Sequence, residues 1–243
     1  MLCYPMNVKV MGKGENTILF LHGYGGSINS FLPVAENLMK THKVILVDFY
    51  GFGQSPYPNA ILDTYDYAVQ LYLKLKQLKI EKLSIVAHSF GGRIALILSS
   101  LFDVKIEKLV LVSSAGLKPK RSIIYYYKVY KYKLFKKLSK VGLIKKSYLN
   151  TFGSDEYKKL NNLQKQSYVK IVNQNLFYLL KYINTSTLIV WGTKDKSTPI
   201  YMAKCLNKNI LNSGLVLFEN GSHFSYLENF SQFCAVLHSF LNN

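Results

Sequence analysis

Residues 82–92 read KLSIVAHSFGG, an apolar run that reaches Ser89 and is followed by two glycines. The pattern predicts a buried strand at residues 82–87 that turns sharply at Ser89 into a helix at residues 90–101. Small residues flank such a turn because larger side chains would collide with neighbouring backbone. Ser89 is therefore a candidate nucleophile, and the N–H of Phe90 at the helix N-terminus is a candidate oxyanion donor. The alternative is a serine that only caps its helix.

Five other apolar runs have the length of buried strands, and helical patterns separate them. Continuous apolar runs suit strands covered on both faces, as in a parallel sheet. Strands and helices that alternate indicate βαβ units with right-handed crossovers. The predicted fold class is therefore α/β, with a mostly parallel central sheet and helices on both faces. The other predicted strands are residues 17–21, 43–49, 108–113, 187–191 and 214–218, and the other predicted helices are residues 30–40, 64–79, 199–211 and 230–241.

Residues 118–184 interrupt this alternation. They contain no convincing apolar strand, but they have Lys- and Tyr-rich stretches with helical spacing at residues 125–141 and 160–182. A connection of this length usually has structure of its own, so we interpret it as a helical insertion between two strands. The chain then divides into a core of residues 1–117 and 185–243 and an insertion of residues 118–184.

The positive charge of the chain is concentrated in this insertion. The 243 residues include 31 Lys and Arg and 13 Asp and Glu, a formal net charge of +18. Residues 118–183 hold 16 of the basic residues and only two acidic ones, Asp155 and Glu156. Of the 31 basic residues of the chain, all except Arg93 and Arg121 are lysines. Proteins that recognise phosphate in a defined geometry favour arginine, so we expect no nucleic-acid partner. The charge is expected to steer anionic substrates or to contact an anionic membrane surface weakly; an AT-rich coding bias is the alternative.

A serine nucleophile needs a general base, and the base needs an acid that orients it. His223 follows the predicted strand 214–218 in the loop ENGSHFSYLE, and Asp195 follows the predicted strand 187–191 in WGTKDKSTP. Taken alone, the histidine could be a surface residue and the aspartate a turn residue. The carboxyl ends of parallel strands line one crevice, however, so Ser89, Asp195 and His223 are predicted to converge there.

Together these motifs resemble the α/β-hydrolase fold family, of the type that has a serine nucleophile and an HG-x-G sequence. Ala87 stands where the family's G-x-S-x-G motif has its first glycine, and alanine is the smallest replacement. The matching stretches occur in the family's order over nearly the whole chain: HGYGG at residues 22–26, DFYGFGQS at 48–55, AHSFGG at 87–92, WGTKD at 191–195 and GSH at 221–223.

The resemblance implies a role for each site residue. Ser89 would be the nucleophile, His223 the general base and then acid, and Asp195 the acid that orients it. The backbone N–H groups of Tyr24 and Phe90 would form the oxyanion hole. Residues 118–184 would be a helical cap over the site, and Asp48 and Gly51 would support its floor.

A serine at the elbow excludes the dehalogenase and epoxide hydrolase branches of this fold, which need Asp there. The resemblance then implies hydrolysis of a small or lipid-like carboxylic ester, with no cofactor and no metal. Carbon–carbon bond hydrolases of the family commonly have Asn where His88 stands, which makes this activity the second choice. Aminopeptidase relatives hold the substrate amine with cap carboxylates, of which this cap offers only Asp155 and Glu156. A ligand-binding receptor on a hydrolase scaffold is the alternative outside enzymes.

Three further expectations concern single residue types. Arg93, one helical turn after Ser89, is expected to form a buried or interdomain ion pair in preference to binding a substrate carboxylate. The tyrosines of the first predicted cap helix are expected to pack within the cap; they are Tyr125, Tyr126, Tyr127, Tyr130 and Tyr132. The odd number and wide spacing of Cys3, Cys205 and Cys234, without a visible signal peptide, predict a reducing, cytoplasmic setting. The sequence favours neither a monomer nor a dimer.

Overall fold

A seven-stranded sheet forms the centre of the computed structural model, which describes residues 5–57, 59–151, 157–158 and 160–242. Its strand order is β1-β3-β2-β4-β5-β6-β7. Strand β1 is antiparallel to β3, and all other neighbouring strands are parallel. This confirms the predicted fold class. The strands are β1 Val8–Met11, β2 Thr17–Leu21, β3 Lys43–Val47, β4 Lys82–His88, β5 Lys105–Val112, β6 Ser186–Gly192 and β7 Ser213–Phe218.

Helices cover both faces of the sheet because alternate strand side chains point to opposite sides. Ile18 and Phe20 of β2 pack with α1 and α8 in one buried cluster. Leu19 and Leu21 pack with α2, α3 and α6 in another. The helices are α1 Leu32–Leu38, α2 Thr64–Gln77, α3 Phe90–Leu101, α4 Ile123–Lys140, α5 Asn162–Asn173, α6 Tyr201–Asn209, α7 Ser225–Glu228 and α8 Phe230–Asn242, with 3₁₀ helices at Ile28–Ser30, Lys146–Thr151 and Phe177–Tyr182.

Besides short helical turns such as α7, strand β1 and the predicted helix 160–182 differ from the sequence prediction. Strand β1 was not predicted, because its residues VKVM are only partly buried at the edge of the sheet and form no continuous apolar run. The predicted helix 160–182 is two helices, since α5 ends before Gln174, whose backbone is extended (φ −64°, ψ 134°). The amide of Leu176 then donates to the carbonyl of Gly116 at 2.8 Å, so a contact with the core overrides the helical pattern.

The insertion lies between β5 and β6, and its helices α4 and α5 differ in burial. Of the described α4 side chains, only Ser139 is buried. Four of the five tyrosines expected to pack there are instead exposed, with exposed fractions from 37% for Tyr125 to 68% for Tyr130. Helix α5 contributes Ile171 to the main core, where it is 2% exposed.

Candidate active site

Ser89 stands at a strained turn between β4 and α3. Its φ of 49° lies in the left-handed region that non-glycine residues rarely adopt. Its amide donates to the carbonyl of Val112 at 3.0 Å, and its carbonyl accepts from Ala115 N at 2.9 Å, so the neighbouring strand holds the turn. A Cβ on Gly91 would collide with the carbonyl oxygen of Leu21, which explains the glycine there. The sequence motif therefore folds into the sharp elbow that was predicted.

Asp195 and His223 are paired in the loops that follow β6 and β7. His223 Nδ1 lies 2.8 Å from Asp195 Oδ2. Since a carboxylate only accepts, Nδ1 carries the proton, and Nε2 is the atom that can accept one. Burial alone would raise the pKa of Asp195, but hydrogen bonds from His223 and Thr198 outweigh it and hold the pKa below its usual range. Asp195 is therefore ionised at neutral pH and orients the imidazole.

Thr198 is a site residue that the sequence analysis missed. Its amide donates to Asp195 Oδ1 at 2.9 Å, and its hydroxyl lies 2.8 Å from Oδ2. The same hydroxyl donates to the carbonyl of Ser113 at 3.0 Å and lies 3.3 Å from His223 Nδ1. Thr198 thus fixes the carboxylate against the end of β5. The sequence pattern that could have identified Thr198 is the spacing Asp-x-x-Thr-Pro in the loop after a buried strand.

His88, which precedes the elbow serine, holds the loop of His223. Its Nε2 lies 2.9 Å from the carbonyl oxygen of His223, and the two rings are 4.7 Å apart. Burial lowers the pKa of His88 to about 3, so the ring is neutral and Nε2 donates its one proton to that carbonyl. A Cβ on Gly23 would lie 2.8 Å from His88 Nδ1, so the glycine leaves room for this ring. The sequence alone did not predict this contact between His88 and the loop of His223.

The HGYGG loop is fixed to the elbow through His22. The carbonyl of His22 accepts from Gly91 N at 3.1 Å, and its Nε2 accepts from Phe49 N at 3.0 Å. Burial lowers the pKa of His22 to about 4, which keeps this acceptor unprotonated. Phe90 begins α3, so its N–H has no acceptor within the helix. Tyr24 lies next to it, with the two rings 5.6 Å apart.

Asp48 ties several loops beneath the site together. Its carboxylate accepts from Ile28 N and Asn7 Nδ2, each at 2.7 Å, and from Gln54 N at 2.9 Å. Gly51 has a φ of 79°, which favours glycine in the loop that Asp48 opens. The loop that they shape contributes Phe52 to a cavity that Ser89 also lines, but neither Asp48 nor Gly51 lines that cavity, so their role in supporting its floor stays a prediction.

A cavity of about 770 Å³ joins these elements. Ser89, His223, Tyr24 and Phe90 line it, and Asp195 lies behind His223. The described residues form no hydrogen bond with the Ser89 side chain. The insertion contributes mainly apolar wall residues, which are Pro119, Leu160, Tyr168, Ile171 and Val172. The predicted site residues thus converge on one apolar-walled cavity.

The described residues do not include a partner for the expected ion pair of Arg93. The side chain is 4% exposed and lines the same cavity. Among the described residues, no carboxylate lies within ion-pair distance of it. Its hydrogen-bond partner is the carbonyl of Gln174, which Nη1 reaches at 3.0 Å. The ion-pair expectation was therefore wrong for the described part of the chain.

The described residues contain neither a metal-binding cluster nor a helix that could span a membrane. No group of three or more His, Cys, Asp or Glu side chains in these ranges is arranged to hold a metal ion. None of the helices in the same ranges has the length and apolarity needed to span a bilayer. Asp155 and Glu156, the cap carboxylates considered for an aminopeptidase, lie outside the described residues.

Comparisons with known proteins agree with this architecture. The model of the alpha/beta hydrolase fold family matches residues 16–141. An uncharacterized hydrolase of Bacillus subtilis, YugF, is 28% identical over 232 residues, covering 86% of this chain and 84% of YugF. A proline iminopeptidase of Lactobacillus acidophilus is 25% identical over 98% of this chain and 95% of its own. The structure of an esterase from Exiguobacterium antarcticum matches with a TM-score of 0.77 at 23% identity, over 98% of this chain and 96% of the esterase.

Proposed function

This chain belongs to the alpha/beta hydrolase fold family, and we propose that it is a serine hydrolase that cleaves a carboxylic ester of a small or lipid-like substrate. The observation that carries the proposal is the His223–Asp195 pair, 2.8 Å apart, at the cavity that Ser89 also lines. A nucleophile, a base and an acid that orients the base are the three groups that acyl transfer to serine needs.

The proposed reaction has two halves. His223 Nε2 takes the proton of the Ser89 hydroxyl as Oγ attacks the ester carbonyl carbon. The N–H groups of Tyr24 and Phe90 stabilise the negative oxygen that forms. His223 then gives the proton to the leaving alcohol oxygen, which leaves the acyl group on Ser89. Water repeats the sequence on the acyl-enzyme, releases the carboxylic acid and restores the serine.

The residues around the His223–Asp195 pair support the proposed roles of His223 as base and Asp195 as the acid that orients it. Asp195, held ionised by its hydrogen bonds, favours the imidazolium that forms when His223 takes the proton. His88 is neutral at working pH and holds the backbone of His223 from the other side, so the imidazole is fixed at two points. A positioned base typically contributes ~10²- to 10⁴-fold to the rate, and one oxyanion-hole donor contributes ~10²- to 10³-fold.

We also propose that the enzyme works in a reducing, cytoplasmic setting without a cofactor or metal. The described cysteines, Cys205 and Cys234, are free thiols, which is usual for a reducing compartment. The proposed steps use only side chains and backbone amides of this chain.

The first test is covalent labelling by a fluorophosphonate, which reacts with an activated serine. We expect the wild-type protein to be labelled and Ser89→Ala to be neither labelled nor active on p-nitrophenyl butyrate. Ser99→Ala is the matched control, because Ser99 lies on the same helix and its hydroxyl donates to the Ala95 carbonyl away from the site. Absence of labelling in the wild type, together with binding of small esters, would favour the receptor interpretation.

Substrate panels separate the hydrolase classes. An acyl-CoA thioester and proline p-nitroanilide should be cleaved more slowly than p-nitrophenyl esters of four to twelve carbons. The anilide is included because a proline iminopeptidase is similar over almost the whole chain. Faster cleavage of the anilide than of every ester would replace the esterase proposal by a peptidase.

A further inference from the structure

Arg93 is a buried cation at the substrate cavity. It lies four residues after Ser89 on α3, which corresponds to a rise of about 6 Å along the helix. Its side chain is 4% exposed, and it lines the cavity of about 770 Å³ that also contains Ser89 and His223. Among the described residues that line this cavity, Arg93 is the only Lys, Arg, Asp or Glu.

The hydrogen-bonding capacity of this guanidinium is largely unused. It has five N–H donors, and the acceptor that the structure provides is the carbonyl of Gln174, 3.0 Å from Nη1. No described carboxylate forms an ion pair with it. Burial lowers the pKa of Arg93 to about 10, so the side chain remains charged at neutral pH. Burying a cation without an anion is costly, and at a cavity wall a bound anion can offset that cost.

We propose that Arg93 binds a free carboxylate of the substrate, so that the preferred substrates are monoesters of dicarboxylic acids. The inference rests on the proposed ester hydrolysis and names its substrate class. Ser89 receives the ester carbonyl, and Arg93 pairs with the second carboxylate about one helical turn away. Planar guanidinium groups suit this role because two parallel N–H groups match the two carboxylate oxygens. The apolar walls, among them Ile171 and Val172, contact the methylene chain between the two ends.

A purely structural role for Arg93 makes different predictions. Gln174 also accepts from Thr64 N through its side chain at 3.0 Å, so Arg93 and Gln174 join α3, the start of α2 and the end of α5. Loss of such a link would lower stability and affect all substrates alike. Loss of a carboxylate contact would affect only substrates that carry the charge.

The experiment compares an anionic ester, the mono-p-nitrophenyl ester of adipic acid, with methyl p-nitrophenyl adipate, in which a methyl group neutralises the free carboxylate. We expect the wild-type enzyme to prefer the anionic ester by roughly 10- to 100-fold in kcat/KM. Arg93→Met should remove that preference, mainly through KM, so that kcat/KM falls at least about tenfold more on the anionic ester than on the neutral one. Arg93→Lys, which keeps the charge but not the fork, should fall between them. Arg121→Met is the matched control, since this second arginine is bound to Asn173 and is not a lining residue of the cavity.

A binding measurement keeps the inference testable without turnover. Monomethyl adipate and dimethyl adipate are titrated calorimetrically into Ser89→Ala and into the double variant Ser89→Ala with Arg93→Met. Tighter binding of the anion by Ser89→Ala alone supports the Arg93 contact even if hydrolysis fails. Equal affinity for both compounds, or an equal fall on both esters in Arg93→Met, overturns the inference and leaves Ser89 labelling as the separate test of the proposed function.

Discussion

The two parts of the insertion are built from similar residues but are anchored differently. Helix α4 has apolar side chains that remain in solvent, among them Ile123 at 88% exposure and Leu134 at 56%. The part from α5 to the 3₁₀ helix Phe177–Tyr182 instead buries Ile171, Leu179 and Leu180 in the same cluster as the sheet. Composition alone therefore does not decide whether a helix of this segment belongs to the core.

Polar contacts explain why the second part is held. Ser167 Oγ accepts from Leu62 N at 2.8 Å and bonds to Tyr57 Oη at 2.6 Å. The amide of Leu176 donates to the carbonyl of Gly116 at 2.8 Å, and the side-chain oxygen of Gln174 accepts from Thr64 N at 3.0 Å. Residues 118–150 carry 11 of the 16 basic residues of the insertion, so most of its charge lies in the exposed part. Cavity shape and surface charge are thus assigned to different halves of one segment and can be changed separately.

The largest expected effect is a difference in stability between variants in the two halves of the insertion. Leu179→Ala removes a fully buried side chain from the main core and should lower the free energy of unfolding by about 2–5 kcal/mol. Leu134→Ala makes the same chemical change on exposed α4 and should alter it by less than about 0.5 kcal/mol. Urea denaturation with unchanged m-values measures both. Similar losses for the two variants would mean that α4 is packed in solution.

The free energy of unfolding should depend on pH through two buried histidines, His22 and His88. Burial lowers the pKa of His22 to about 4 and of His88 to about 3, below the 6.5 of an unfolded chain. Between about pH 6.5 and 4 the unfolded chain binds more protons, so the free energy of unfolding is highest above pH 6.5 and falls as the pH decreases. Each histidine contributes at most about 1.4 kcal/mol per pH unit.

The variant His88→Asn tests this assignment, since an amide can still donate to the carbonyl of His223 but does not titrate. Its free energy of unfolding, measured by urea denaturation from pH 7 to 4, should fall less steeply than that of the wild type. The control is His238→Asn on the exposed surface of α8, which should keep the wild-type slope. Helix α4 contains neither acidic residues nor histidine, so its variants should not change the slope. An unchanged slope in His88→Asn would contradict a buried, neutral His88.

The fold could be predicted from the sequence because its signals are local. Apolar runs such as TILFL at Thr17–Leu21 are buried on both faces, and the elbow around Ser89 has a distinctive pattern of small residues. The antiparallel edge strand β1 is short and half-exposed, so it lacks that signal. Helix α5 ends where Leu176 bonds to Gly116, a contact between residues 60 positions apart that no local pattern encodes.

The site was predictable to a similar extent. Asp195 and His223 could be placed because each lies in the loop that follows an apolar run. The bond of Thr198 to the Ser113 carbonyl and the contact of His88 with the His223 carbonyl depend on how three loops meet. These contacts become visible only in three dimensions. The lone charge of Arg93 illustrates the same limit. The burial of Arg93 could be predicted from its position on α3. One sequence could not show that no described carboxylate forms an ion pair with it.

The smallest effect concerns the charge of α4, which we propose steers anionic substrates or contacts anionic lipid surfaces weakly. A variant with Lys128, Lys131 and Lys136 all replaced by Gln should lower kcat/KM on the anionic adipate ester about two- to fivefold at low salt and leave the neutral ester unchanged. The difference should vanish as added salt shortens the screening length below ~10 Å.

The control for this variant is a triple replacement of Lys9, Lys13 and Lys40 by Gln, which removes the same charge from exposed positions outside the insertion. It should change the rate less, because steering depends on where the charge lies relative to the cavity. Sedimentation with anionic liposomes separates the two roles: the wild type should bind more than the α4 variant if the helix contacts lipid. Equal salt dependence for both esters, with no liposome binding, would leave compositional bias as the explanation. The exposed half of the insertion would then have no role in either substrate capture or membrane contact, whereas the buried half would still shape the cavity.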